Sequence, residues 1–127
     1  MNKNLVAGGI VAAVVIGGAV FAHLGAQDNN VREIRLVVRD MTYYAAQTAE
    51  ANPTLRVARG EKIRLVLTNE DRGYSHNLIA PELGVSTPLL TQGKSQSIEI
   101  TVPDVAGLYT YRCGPHAEMM RGNIAIE

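Results

Sequence analysis

The sequence GLYTYRCGPHAEMMRGNI at residues 107–124 predicts a strand, a tight loop and the beginning of a second strand. Tyr109, Tyr111 and Cys113 recur at every second position, and alternate residues of a strand share one face. A Gly-Pro pair, which is typical of a turn, follows the cysteine, and His116 and two methionines come next. The strand therefore delivers a thiol to its end, and the loop carries an imidazole and two thioethers close behind it.

Outside this stretch, hydrophobic residues alternate with polar or smaller ones over several further segments. A period of two is typical of half-buried strands, which have one face on a core and one face in water. Turn-forming residues separate these segments at a spacing of roughly ten residues, so we predict about seven short strands. The predicted fold is an all-β Greek-key β-sandwich, and residues 40–51 stay open between a strand and a short helical excursion. The alternating segments are residues 34–38, 63–67, 98–102 and 124–126.

The N-terminal part differs from the rest, because residues 5–22 contain no charged side chain and are rich in Val, Ala, Gly and Ile. As a helix, this run would span about 27 Å, close to the roughly 30 Å hydrocarbon core of a bilayer. We therefore predict that residues 1–26 form one N-terminal transmembrane helix, an anchor or uncleaved signal segment that meets the membrane through residues 5–24. Cleavage stays open as an alternative, because Val20 and Ala22 lie in a stretch that suits a signal peptidase.

Two features of the N-terminal segment bear on its surroundings. Lys3 favours an N-terminus on the inner side, which places the rest of the chain on the periplasmic or extracytoplasmic side of the membrane. Gly9, Ala13 and Gly17 recur at every fourth position and would form a helix face suited to close packing in a membrane complex. Signal and anchor segments are also generally rich in Gly and Ala, so both interpretations of this face stay open.

The composition limits the functions that the rest of the chain, after the N-terminal segment, can have. Residues 31–127, which follow a short polar linker at residues 27–30, are enough for one hydrophobic core and too few for two. The chain carries 12 basic and 12 acidic side chains without a basic stripe, so we predict no nucleic-acid binding. The single cysteine excludes an intramolecular disulfide.

The remaining reactive side chains suggest a metal site. Of the three histidines, His23 lies beside the apolar run, whereas His76 and His116 fall in segments that a sandwich can bring together. A lone thiol outside the cytoplasm is open to oxidation unless something binds it. The thiolate of Cys113, two imidazoles and a weak thioether are the ligand set of a mononuclear blue copper site. Each of these residues alone is more simply interpreted as an ordinary core or surface residue. Their combination favours a copper-binding site.

Residues 31–127 resemble the cupredoxins, the family of plastocyanin, amicyanin, pseudoazurin and azurin. The Cys-Gly-Pro-His run at residues 113–116 is similar to the short Cys-x-Pro-His loop of plastocyanin and amicyanin. Residues 116–122 are similar to the His-x-x-x-Met-Lys-Gly of azurin, with arginine in place of lysine. His76 and Asn77 match the upstream histidine ligand of the family and the asparagine that follows it.

The resemblance implies a cofactor and its ligands. The cofactor would be one mononuclear copper ion that alternates between Cu(II) and Cu(I), and Asn77 would tie the two ligand segments together. Two consecutive methionines leave a choice of axial ligand, because the azurin spacing selects Met120 and the amicyanin spacing would select Met119. We favour the azurin spacing. The implied metal ligands are His76, Cys113, His116 and Met120.

The resemblance also implies a function, namely a membrane-tethered blue copper protein that transfers single electrons between redox partners outside the cytoplasm. Partners would dock near His116, because the ring edge of this histidine reaches an apolar surface patch in family members. One cysteine is too few for a dinuclear copper site, and three histidines are too few for a multicopper oxidase, so we predict that the protein is not an enzyme. The alternative is an accessory or structural subunit of a respiratory or photosynthetic membrane complex, with or without copper.

Overall fold

The computed structural model describes residues 31–127. Within them the chain forms nine strands and a single turn of 3-10 helix at Pro81–Leu83. Two of the strands have only two residues, which is too short for any alternation to be visible in the sequence. In chain order the strands are β1 (Arg32–Arg39), β2 (Thr42–Ala45), β3 (Leu55–Val57), β4 (Lys62–Asn69), β5 (Ile79–Ala80), β6 (Val85–Ser86), β7 (Ser95–Thr101), β8 (Gly107–Arg112) and β9 (Arg121–Ile126).

The strands form two sheets that share one hydrophobic core. The first sheet has the order β2-β1-β4-β7, and the second has the order β3-β9-β8-β5-β6. Strands β1 and β4 are parallel, as are β3 and β9, whereas the other pairs are antiparallel. Between the neighbouring strands β1 and β4, the chain therefore passes through β3 of the other sheet. This architecture confirms the predicted all-β sandwich.

The core lies between the sheets and is built by the predicted alternation. In β4, Ile63, Leu65 and Leu67 are buried, and the residues between them are half-buried. Strand β1 contributes Leu36 and Val38 in the same way. Full burial of one such side chain stabilises a fold by roughly 1.5–3 kcal/mol. The apolar face of each strand therefore determines which way the strand is turned.

Residues 40–51, which the sequence left open, begin with a tight turn and strand β2. Asp40 and Met41 have φ values of 47° and 56°, the left-handed values required by a two-residue turn between antiparallel strands. Strand β2 then pairs with β1 in a register that sets Tyr43 opposite Val38. The strand interpretation of this segment is therefore confirmed for β2.

Two buried tyrosines connect the sheets. The rings of Tyr43 and Tyr111 meet edge to face, with their centroids 5.3 Å apart. The Tyr111 hydroxyl donates to the carbonyl of Pro53 at 2.6 Å, and the Tyr43 hydroxyl donates to the carbonyl of Asn77. Burial raises the pKa of both hydroxyls, because a phenolate would lose its hydration there. Both tyrosines therefore remain neutral donors that hold neighbouring backbone segments in place.

The predicted membrane segment and linker lie outside the described residues. This also applies to the small-residue face of Gly9, Ala13 and Gly17, so that face stays a prediction. Among residues 31–127, no helix is both long and apolar enough to cross a bilayer.

Candidate metal centre

Three of the predicted ligands come together beyond the end of β8. The ligand atoms of His76, Cys113 and His116 all lie within 4.8 Å of one another. The Cys113 Sγ atom is 3.8 Å from His76 Nδ1 and 3.6 Å from His116 Nδ1. Cys113 and His76 are completely buried, whereas His116 is half-buried. Two imidazole nitrogens thus converge on one sulfur at a site that opens to solvent on the His116 side.

The loop after β8 is closed by its own backbone hydrogen bonds. The Cys113 N–H donates to the Met120 carbonyl at 2.9 Å, and the Met120 N–H donates to the His116 carbonyl at 3.0 Å. These bonds hold the thiol and the second imidazole in one compact turn. The Asn52 amide also donates to the Met119 carbonyl at 3.1 Å, which attaches the loop to the segment between β2 and β3.

The loop presents its two methionines to different surroundings. Met120 is fully buried, whereas the side chain of Met119 is 55% exposed. The loop hydrogen bonds explain the difference, because they bring residue 120, immediately before β9, back to the backbone of Cys113. This burial supports Met120, and not Met119, as the thioether of the site.

His76 is held in place by backbone pairing with Leu90. The His76 N–H donates to the Leu90 carbonyl at 3.0 Å, and the Leu90 N–H donates back to the His76 carbonyl at 2.7 Å. The buried Asn69 amide donates to the Leu90 carbonyl and to the Tyr74 carbonyl, at 2.7 Å and 2.9 Å. The end of β4 therefore determines where the upstream imidazole lies.

Asn77 ties the two ligand segments together, as the family resemblance implied. Its Oδ1 atom accepts the Gly114 N–H at 2.8 Å, directly beside Cys113. Its own carbonyl accepts the Tyr43 hydroxyl. The asparagine thus links the strand that follows His76, the ligand loop and the tyrosine pair.

Asp71 is a polar neighbour of the site that the sequence pattern does not reveal. Its Oδ2 atom lies 2.9 Å from His76 Nε2 and accepts the Met41 N–H at 3.0 Å. Burial alone would raise the pKa of this carboxyl, but hydrogen bonds from the Met41 amide and the His76 ring hold it below its usual value. In the sequence Asp71 is one of several polar residues in a turn, which gives no sign that it faces a histidine.

Two exposed side chains, those of Tyr74 and Leu89, adjoin the histidine segments of the site. Tyr74 is 54% exposed, and its ring meets the His116 ring edge to face at a centroid distance of 6.0 Å. Leu89, next to the residue that pairs with His76, is 53% exposed. Tyr74 therefore contacts the half-buried ligand His116 directly, whereas Leu89 adjoins the segment that pairs with His76.

The donor set fits a copper ion. One soft thiolate with two imidazoles suits copper in both oxidation states, and the mutual spacing of the donors allows them to share a single ion. The described residues contain one cysteine, so they offer no second bridging thiolate for a dinuclear centre. His76, Cys113, His116 and Met120 thus form a mononuclear type 1 copper site.

Solved structures of other proteins share this fold at low sequence identity. Auracyanin from the photosynthetic bacterium Roseiflexus castenholzii, solved in its dithionite-reduced form, is 18% identical with a TM-score of 0.61, and the match covers 76% of this chain and 97% of that chain. Rusticyanin from Thiobacillus ferrooxidans is 18% identical with a TM-score of 0.57, covering 76% and 78% of the two chains.

A larger protein contains the same fold as one part. A variant of the McoA multicopper oxidase from Aquifex aeolicus is 16% identical with a TM-score of 0.65, and the match covers 77% of this chain but only 27% of the oxidase. At such identities these likenesses establish the fold alone. No curated protein matches the chain significantly in sequence. The family model of the cupredoxin-like domain matches residues 10–126, so the chain belongs to the cupredoxin-like domain family.

Proposed function

We propose that this protein is a type 1 copper protein that carries single electrons between redox partners. The observation that carries the proposal is the convergence of both imidazole Nδ1 atoms on the Cys113 sulfur. A bound copper ion supplies the one-electron Cu(II)/Cu(I) couple. The protein supplies donors that are already in place, and donors that need not move keep the barrier to electron transfer low.

Three sets of contacts keep the donors in place. The loop hydrogen bonds fix Cys113 relative to His116, and the pairing with Leu90 fixes His76. The Asn77 side chain then joins the two segments. Because these contacts involve backbone groups of a folded sandwich, we expect them to stay the same when the site gains or loses one electron.

We further propose that redox partners dock on the patch of His116, Tyr74 and Leu89. His116 is the ligand of the cluster that reaches the surface, so electrons have their shortest path to a partner there. Exposed apolar residues that cluster on a surface commonly mark a contact site for another protein.

The proposed ligand roles are equatorial for His76, Cys113 and His116 and axial for Met120. Replacing Met120 by leucine removes the weak sulfur donor while keeping the apolar volume. The reduction potential should rise, because removing this donor costs Cu(II) more stabilisation than Cu(I). We expect a rise on the order of 60 mV, equivalent to a tenfold change in relative affinity. Met119→Leu is the matched control and should leave the potential unchanged, since Met119 is exposed. A shift only in the Met119 variant would reverse the assignment.

The decisive test of the function is voltammetry on the copper-loaded protein, which should show a reversible one-electron wave. Reduced protein should also pass its electron to a second redox protein. A colourless protein that co-purifies with a larger assembly and shows no wave would instead favour the accessory-subunit alternative.

Pro115 gives a second electrochemical prediction. Proline has no N–H, so residue 115 cannot donate a hydrogen bond to the Cys113 sulfur, and the thiolate remains electron-rich. An N–H at this position in Pro115→Ala would withdraw charge from the sulfur and disfavour Cu(II). We expect a rise in the reduction potential on the order of 60 mV. A fall in the voltammetric potential would contradict this explanation.

The membrane tether and the extracytoplasmic location also belong to the proposal, and they rest on the sequence pattern of residues 5–24. Tethering would raise the effective concentration of the copper domain near membrane-bound partners. The small-residue face of Gly9, Ala13 and Gly17 would let the anchor pack in a membrane complex.

A further inference from the structure

The His76 ring is held between two different partners. Its Nδ1 atom faces the Cys113 sulfur, and its Nε2 atom lies 2.9 Å from Asp71 Oδ2. The His76 side chain is fully buried, and the Asp71 side chain is only 11% exposed. The carboxylate therefore lies directly behind one ligand of the proposed copper site, with little water to screen its charge.

The chemistry of these groups selects one tautomer of the imidazole. An ionised carboxylate can only accept hydrogen bonds, so the short Nε2 contact places the proton on Nε2. The Nδ1 lone pair is then free on the side of the Cys113 sulfur. In the opposite tautomer, the Nε2 lone pair would face the carboxylate oxygen, and the proton on Nδ1 would block coordination.

Contacts from two other segments hold Asp71 in position. Its Oδ2 atom also accepts the N–H of Met41, in the left-handed turn between β1 and β2. Its own N–H donates to the side-chain oxygen of the buried Asn69 at 2.8 Å. The carboxylate is thus held in place whether or not a metal is bound.

We propose that Asp71 is a positioning residue that holds His76 as the Nε2–H tautomer and whose negative charge favours Cu(II) over Cu(I). Hydrogen bonds from a ligating imidazole to a carboxylate orient the ring and make it a stronger donor. A fixed negative charge close to the site also stabilises the more positive oxidation state. This inference rests on the proposed copper function.

The first test needs no metal. Long-range ¹H–¹⁵N NMR of the apoprotein, in neutral to mildly alkaline buffer, should show His76 as the Nε2–H tautomer. In Asp71→Ala the population of this tautomer should fall towards that of a free histidine side chain. The Nδ1–H tautomer, or a mixture, in the wild type would overturn the proposal. Because this measurement uses the wild type, it tests the proposal even if a variant fails to fold.

The second test measures metal binding and separates the charge of Asp71 from its hydrogen bond. Asp71→Asn keeps an acceptor oxygen but removes the charge, and it should weaken Cu(II) binding about tenfold more than Cu(I) binding. That ratio corresponds to a rise of about 59 mV in the reduction potential. Asp71→Ala removes both the charge and the acceptor, and it should also weaken binding of redox-inert Zn(II) by about tenfold or more.

Glu70→Gln is the matched control, because it removes the same charge from the adjacent residue. Glu70 is 51% exposed and pairs with Arg39 at 3.5 Å, so water and the guanidinium already screen it. A potential shift in Asp71→Asn no larger than that in Glu70→Gln would overturn the charge effect. Absence of the copper colour in the wild type would defeat the proposed function itself, whereas the tautomer and the Zn(II) affinity would still report on Asp71.

Discussion

Copper-loaded protein with Cys113 replaced by serine is expected to be colourless, whereas the wild type should absorb strongly in visible light. The expected colour arises from charge transfer between a thiolate and Cu(II), and Cys113 is the only cysteine of the chain. Serine keeps nearly the same shape and removes the sulfur. The visible spectrum of oxidised protein, recorded at equal copper content, measures the difference.

Loss of the colour through loss of the ligand can be distinguished from loss of the colour through unfolding. Cys113 is completely buried, and a serine hydroxyl there costs about 1–3 kcal/mol of stability if it lacks a hydrogen-bond partner. Circular dichroism should therefore show a folded variant with a lower melting temperature. Met119→Leu, which changes an exposed sulfur of the same loop, should keep the full colour. An intense band that persists in a folded Cys113→Ser variant would remove the basis of the proposed site.

Gly122→Ala is expected to destabilise the fold severely. A Cβ atom at residue 122 would lie 2.5 Å from Cζ and 2.7 Å from Cε1 of Tyr111, far inside van der Waals contact. The ring cannot move aside, because Tyr111 is fully buried and its hydroxyl donates to the Pro53 carbonyl. The ring also packs edge to face against the ring of Tyr43. We expect a loss of about 3 kcal/mol in the free energy of unfolding, at the upper end for overpacked cores.

Thermal unfolding measures this effect, and a loss of that size should lower the melting temperature by about 12 °C or more. Gly93→Ala is the matched control, because a Cβ there meets no atom within 4 Å and only the left-handed φ of 81° opposes it. That strain costs about 1–2 kcal/mol. In Tyr111→Leu the obstructing ring is absent, so the two substitutions at residues 111 and 122 should be less than additive. Full additivity would show that the collision is not the cause.

Much of the sandwich was predictable because strand alternation is a local property. Leu36 and Val38 in β1, and Leu65 and Leu67 in β4, are buried as their spacing indicated. The pairing of strands was not predictable in this way. The parallel alignment of β1 with β4 depends on where the intervening chain crosses to the other sheet, and no short stretch of sequence encodes that path.

The short strands were missed for a related reason. β5 and β6 contain two residues each, and they exist because Ile79 and Ala80 find partners in β8 and β6. A segment of two residues carries no period of its own. Tertiary pairing, and not local preference, therefore makes these residues strands.

The candidate site was likewise predictable from the sequence only in part. Its loop was predictable, because Cys113 and His116 are three positions apart and a Gly-Pro turn brings them together. The spacing to Gly122 already favoured Met120 over Met119, and the folded loop adds a difference in burial that two adjacent, identical side chains do not show in the sequence.

Residue type and local period need no tertiary contacts, so the amino-acid sequence already specifies an alternating β-domain with one thiol, two imidazoles and a thioether pair. The meeting of His76 with Cys113 across 37 residues of chain, and the position of Asp71 behind the His76 ring, arise only on folding. Both contacts have a short range. Hydrogen bonds and metal ligation act over a few ångströms, and distant segments reach such separations only once the sheets have packed.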